Sequence, residues 1–310
     1  MKKLTVLFFL CIIPFIANAT ISEMSFGKWN IKFDDETKRA EFVKEGVTVL
    51  KDVKIKFKNG DVLLDASSYN SVKIKQEDIV DEVGKARKFT IEYTGSENSD
   101  NPIVYQNFYL YDGQDYFLTD VILQSPDNSI ISSNYIAPIS TEADNLFLPA
   151  DVNNRFITVP FDNDGFITYA SYPLSCSQTD PESLAIGRVA RDSVSMEVSA
   201  IFNGETQLGL VIGSVDHDTW KSAVRITGSP LAQGKITNLE CFSGVTHHIT
   251  RDMIDGVLKP HGAVKGQQVK SARMIVHYSG DWRTGLETFG DVCCAIAPKR
   301  SWDKPAPYGW

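Results

Sequence analysis

The stretch "IVYQNFYLYDGQDYFLTDVILQ", residues 103–124, decides the fold class. Its first nine residues alternate: Tyr105, Asn107, Tyr109 and Tyr111 share one face, and Val104, Gln106, Phe108 and Leu110 the other. A period of two is the signature of a strand. Asp112-Gly113-Gln114 then turns the chain and Asp115–Gln124 returns, which predicts a β-hairpin around a glycine-containing turn. The same device recurs in "VTVLKDVKIKFKNGDVLLDA" (47–66) around Asn59-Gly60, and in "SVSMEVSAIFNGETQLGLVIGSV" (193–215) around Asn203-Gly204.

Helical periodicity is almost absent before residue 280. "KQEDIVDEVGKARK" (75–88) is heavily charged and reads as a solvated loop. A chain of this length, nearly all antiparallel, predicts one large double-sheet β-sandwich over residues 20–280. The pattern changes at "DWRTGLETFGDVCCAIAPKR" (281–300). Asp281 is a good N-cap. Leu286, Phe289, Val292, Cys293 and Ile296 follow at helical spacing, and Pro298 with Lys299-Arg300 closes the element. The spacing predicts a linker helix. Residues 301–310, "SWDKPAPYGW", then read as an extended stretch opening a new buried strand.

At the other end, residues 1–19 have the three parts of a secretory signal peptide. Lys2 and Lys3 form the charged region, Leu4–Ile16 the apolar region, and Ala17-Asn18-Ala19 the small-x-small cleavage site. The apolar run is too short for a membrane span and contains Pro14. No small residue precedes Cys11, which argues against a lipid anchor. Cleavage would leave 291 of the 310 residues and move the net charge from −8 to −10, as both lysines leave. The sequence therefore predicts an exported protein, periplasmic or extracellular, with no membrane insertion after cleavage. An acidic chain lacks the basic face that nucleic acid requires. Export permits disulfides. Cys293 and Cys294 are adjacent on the predicted helix and cannot bridge each other undistorted, whereas Cys176–Cys241 is an allowed pair.

Few residues form a reactive pattern. Asp162 and Asp164 in "VPFDNDGFITY" (159–169) lack the further ligands and closing Glu of a calcium loop, and read as a turn. In "GSVDHDTWK" (213–221), His217 lies between Asp216 and Asp218. Neighbours on a strand point to opposite faces, so such a pair does not make a triad. His217 with Trp220 is a candidate sugar-lining pair, set against the plainer reading of a strand-to-loop corner. His247-His248 lack the i, i+4 spacing of a zinc site. His261 and His277 read as structural. No catalytic residue, metal site or cofactor motif is expected.

Taken together, "RFITVPFDNDGFITY" (155–169), "GLVIGSVDHDTWKSAVRI" (209–226), "KPHGAVKG" (259–266), "DWRTGLETFGD" (281–291) and "PAPYGW" (305–310) resemble the N-terminal half of bacterial α-galactosidase-like glycoside hydrolases of family 36 and its relatives. That family places a large β-supersandwich, galactose-mutarotase-like, before a (β/α)8 barrel. Its first barrel strand opens Pro-x-Gly-Trp-Asn-Ser-Trp, and Pro307, Tyr308, Gly309 and Trp310 match the first four positions. The resemblance implies a sandwich at 20–280, a linker helix at 281–300, and the start of a truncated barrel at 301–310. It implies that the full-length parent hydrolyses terminal α-galactosides or α-N-acetylgalactosaminides with retention, through two aspartates on barrel strands absent from this chain. Trp310 becomes a weak substrate-binding candidate, and a homo-oligomer is allowed. The alternatives are a stand-alone exported carbohydrate-binding sandwich without activity, or another sandwich-plus-barrel glycosidase class acting on a different sugar.

Overall fold

The computed structural model describes residues 21–142, 147–149, 151–159, 170–174, 192–228, 234–249 and 254–298. Residues 1–20, with the expected signal peptide, Asp162, Asp164, Cys176 and the terminal segment with Trp310 lie outside the described residues. Two antiparallel sheets dominate. One runs, in spatial order, through β1 (Ile21–Phe26), β2 (Trp29–Asp34), β3 (Arg39–Lys44), β4 (Val47–Asn59), β11 (Ile136–Glu142), β18 (Ile236–Ser243), β17 (Ser222–Gly228) and β14 (Asp192–Met196), with β5 (Val62–Asp65) paired to β4. The other runs through β13 (Ala170–Pro173), β12 (Asn154–Thr158), β15 (Val198–Asn203), β16 (Gly209–Ser214), β23 (Met274–Ser279), β9 (Tyr116–Gln124), β8 (Ile103–Tyr111), β7 (Lys85–Ser96) and β6 (Tyr69–Val80), with β22 (Gln268–Lys270) paired to β9. Two small ribbons join β10 (Ile131–Ser133) to β21 (Val264–Gly266), and β19 (Val245–Ile249) to β20 (Ile254–Pro260).

The sheets meet face to face, and the alternation read at 103–111 holds. Val104, Gln106, Phe108 and Leu110 are all buried on the core side. Aromatic rings interlock across the layers: Trp29 meets Phe117 at 4.8 Å and Phe42 meets Phe117 at 5.0 Å, both edge to face, the arrangement that ring quadrupoles favour. Gly113 turns the β8–β9 hairpin with φ 70, and Gly60 the β4–β5 hairpin with φ 60. The single-hairpin reading of 193–215 needs correction. β15 and β16 pair as expected, but Ser193–Met196 pairs with β17 in the opposite sheet. Glu197, at φ 64, swings the chain from one sheet to the other.

The segment 75–88 is not a loop. It is the end of a long hairpin in which β6 and β7 pair along eleven positions from Tyr69↔Ser96 to Val80↔Lys85. Its charges, which suggested solvation, face each other across the strands: Lys75–Glu92 at 2.7 Å, Arg87–Asp78 at 2.8 Å and Lys88–Glu77 at 3.1 Å. Opposite charges in cross-strand register support a sheet. The alternation was masked because both faces of this ribbon carry polar residues.

The helix expected from the spacing at 281–300 is present. Helix α1 (Trp282–Ile296) begins where Asp281 caps it, Oδ1 accepting from the Arg283 backbone N at 3.0 Å. Val292 is buried, while Phe289, Cys293 and Ile296 pack on Tyr116, Leu118 and Ile275 of the second sheet. Among the described residues, no helix is long and apolar enough to cross a membrane.

Candidate functional site

The segment 213–221 comes apart in three dimensions. Asp216 turns inward and holds Arg273, accepting from its backbone N at 3.0 Å and its guanidinium Nε at 3.1 Å. Arg273 also reaches Glu82 on the β6–β7 turn at 3.3 Å. Desolvation works against the charged guanidinium, yet Asp216 and Glu82 outweigh it and hold the Arg273 pKa above its ordinary value. His217 points elsewhere: it is exposed, with Nε2 3.7 Å from Glu197 Oε2. Trp220 is 4% exposed, donates its indole N–H to the Lys270 carbonyl at 2.7 Å, and lies 5.2 Å from the His261 ring. The three side chains thus go to different partners: Asp216 to Arg273, His217 to Glu197 and Trp220 to Lys270. His247 and His248 lie on β19, with His247 opposite Leu258.

Sequence reasoning missed the polar row on the outer face of the second sheet. Thr90, Asn107 and Asp120 stand directly across from one another on β7, β8 and β9. Asp120 is fully buried, yet its carboxylate is well served. Oδ1 accepts from Asn107 Nδ2 at 2.7 Å, and Oδ2 from Tyr109 O–H at 2.9 Å and Lys270 Nζ at 3.2 Å. Burial, followed by the nearby Asp120 charge, pushes the Tyr109 phenol up, which keeps it a donor. A buried carboxylate with three donors is the pattern that a folded protein tolerates. The sequence signal was present in Asn107 and Asp120, two polar residues inside hairpin strands, but their register was not legible.

Beside this row the sheet carries α1. His277 on β23 is 3% exposed beneath the helix, and its Nδ1 finds no hydrogen-bond partner among the described residues. Burial lowers its pKa to about 4. The interior thiol Cys241 is in no disulfide, and its Sγ donates to Met274 Sδ at 3.4 Å. Burial pushes Cys293 up to about 11, so it is no thiolate nucleophile at neutral pH. Among the described residues, no group of three or more His, Cys, Asp or Glu is placed to hold a metal ion. Among the described residues these networks brace the sheets, and none of those named here pairs a nucleophile with a base.

No protein-family model and no curated protein matches the sequence. Solved structures do match. The chain is similar to an α-N-acetylgalactosaminidase, NagBb from Bifidobacterium bifidum in complex with Gal-NHAc-DNJ, over 86% of its own length and 38% of that protein's, with a TM-score of 0.50 and 10% identity. The likeness is one of fold. A GH36 α-galactosidase, AgaA from Geobacillus stearothermophilus in complex with raffinose, aligns over 87% of this chain and 42% of its own, at 9% identity and a TM-score of 0.49. This chain spans well under half the length of either protein. The all-β sandwich followed, among the described residues, by helix α1 is therefore an architecture shared with part of the larger NagBb structure.

Proposed function

We propose that this chain is the N-terminal, non-catalytic β-supersandwich of an exported α-galactosidase-like glycoside hydrolase. One observation carries the reading: the likeness that takes in 86% of this chain takes in only 38% of NagBb, the share a non-catalytic domain would occupy in a larger enzyme. Helix α1 fits the role. It leaves the last sheet strand, lies on the sandwich, and leads toward "PAPYGW", which resembles the opening of a catalytic barrel strand. In that reading, retaining hydrolysis of α-galactosides or α-N-acetylgalactosaminides belongs to two barrel carboxylates about 5 Å apart. The sandwich braces the barrel and shapes the mouth of its site. Residues 1–19 direct export, and the mature protein begins at Thr20.

The experiment compares two proteins. The genomic reading frame is read past codon 310, expressed at full length, and assayed with aryl α-galactosides and aryl α-N-acetylgalactosaminides beside the 310-residue chain. Turnover by the longer protein alone supports the reading. A stop codon after Trp310, or equal turnover by the short chain, overturns it. N-terminal sequencing of the exported protein tests the leader, since a first residue other than Thr20 removes that part.

A further inference from the structure

The second sheet ends in an open edge. Strand β6 pairs with β7 on one side and, among the described residues, with no strand on the other. It runs for 12 residues, Tyr69–Val80. An edge strand of that length turns a row of backbone N–H and C=O groups outward, a template for a further strand. Two devices that blunt such an edge are missing here: β6 holds no proline, and its register with β7 runs unbroken from Ser71 to Val80. At its end Val80 is 76% exposed, more than any other large apolar side chain among the described residues.

The side chains decide which strand fits the edge. Lys73, Lys75, Glu77 and Ile79 lie on the outer face, while Val72, Ile74, Gln76, Asp78 and Val80 lie on the face that carries Ile91 and Tyr93 of the core. A second copy of β6, running antiparallel, keeps core side with core side only in registers that set residues of one face opposite each other. Of the registers that overlap along most of the strand, those centred on Lys73, Ile74 and Lys75 each put lysine opposite lysine. Like charges directly opposite are destabilising. The register centred on Gln76 puts no like charges opposite. It sets Lys75 opposite Glu77 of the second copy, and by symmetry Glu77 opposite Lys75. It also sets the exposed Val80 opposite Val72. Asp78, opposite Ile74, stays engaged with Arg87 of its own copy at 2.8 Å. Within each copy Lys75 meets Glu92 at 2.7 Å and Glu77 meets Lys88 at 3.1 Å. Pairing therefore extends one row of alternating sign across four strands: Glu92 and Lys75 of one copy, then Glu77 and Lys88 of the other.

We propose that two copies of this chain pair through β6, antiparallel and centred on Gln76, and so join their second sheets into one. The proposal concerns this chain's own edge and does not rest on the glycosidase reading. A single strand pair is a small interface, so the dimer is reversible, with a Kd of about 10–100 μM.

Sedimentation equilibrium of the purified chain from about 1 to 500 μM tests the pairing, and a monomer–dimer equilibrium in that range is expected. Lys75→Glu sets acid opposite acid, and Glu77→Lys sets base opposite base. Each variant alone should weaken the dimer about tenfold or more. An equimolar mixture of the two should recover it, because each then supplies the charge that the other lacks. The contacts with Glu92 and Lys88 within a copy are the same in monomer and dimer, so their change drops out of the comparison. Both positions are exposed, which leaves the fold of each variant intact. Val80→Asp gives a second route at an exposed side chain and should also weaken the dimer. A chain that stays monomeric throughout, as it does when another protein or a further part of a longer chain covers the edge, overturns the proposal. So does a dimer that the single variants or Val80→Asp leave unchanged, or a mixture that stays monomeric.

Discussion

Gly285 of the helix lies against His277 of the sheet so closely that a Cβ at Gly285 would stand 2.7 Å from His277 Nδ1 and 2.7 Å from Val211 Cγ2. Real Cβ atoms do not tolerate such contacts, so the helix can dock only while this position is bare. Gly285→Ala should therefore destabilise the protein by about 2 kcal/mol, against the roughly 1 kcal/mol that Ala gains over Gly inside a helix. Gly290 is the control, because a Cβ there meets nothing within 4 Å. Gly290→Ala should raise stability by up to about 1 kcal/mol. Urea denaturation of the two variants checks the pair, and equal effects would mean that α1 is not seated as described.

His277 sets a pH dependence. Its pKa is lowered to about 4, first by burial; Asp115 works against the shift, and Lys44 and Lys28 with it. The unfolded chain titrates near 6.5. Between these values the unfolded state binds more protons than the folded one, so stability falls as pH drops from 6.5 to 4. The full effect is about 3 kcal/mol. The melting temperature of His277→Gln should fall less steeply over that window than that of the parent. Parallel curves would remove His277 as the cause.

Trp282 anchors the start of α1. Its ring stacks on Phe202 at 4.3 Å, and its N–H donates to Gln207 Oε1 at 3.1 Å. Trp282→Ala should cost about 2–3 kcal/mol, and removing residues 281–310 should cost at least as much. Hydrogen exchange on β16 and β23 reports the outcome, because undocking uncovers those strands.

Asp120 supports the opposite end of the same sheet face. Asp120→Ala leaves the donors of Asn107, Tyr109 and Lys270 without their acceptor. The expected cost is about 3 kcal/mol or more. Asp120→Asn should cost less, as one carbonyl oxygen remains. Chemical denaturation orders the two variants, and a neutral Asp120→Ala would mean that solvent reaches the row.

The β6–β7 turn depends on Asp81. Its Oδ1 accepts from the backbone N of Val83 and of Gly84 at 2.9 Å, and its Oδ2 from Tyr111 O–H at 2.7 Å. Asp81→Ala should cost about 2 kcal/mol and speed amide exchange at the hairpin tip first. Uniform exchange across the sandwich would argue against a local role.

What the sequence determined alone is local. Period-two alternation at 103–111, glycines at 60 and 113, and the Asp281 cap with its helical spacing depend on residues within a few positions of one another, and each appears in the structure as read. The charged ribbon at 75–88 escaped because its strand character comes from partners nine to seventeen residues away, such as Asp78 with Arg87 and Lys75 with Glu92. Asp216, His217 and Trp220 escaped as a constellation for the converse reason: neighbours in sequence, they are sent to Arg273, Glu197 and Lys270, which only the folded chain brings near. The same holds for Thr90, Asn107 and Asp120. They lie on three strands and form one row only because antiparallel register sets them opposite each other. Hydrophobic periodicity specifies which face of a strand is buried. The order of strands in a sheet, and hence which polar side chains meet on the outer face, is decided by long-range pairing and packing, and that is the work of the tertiary structure.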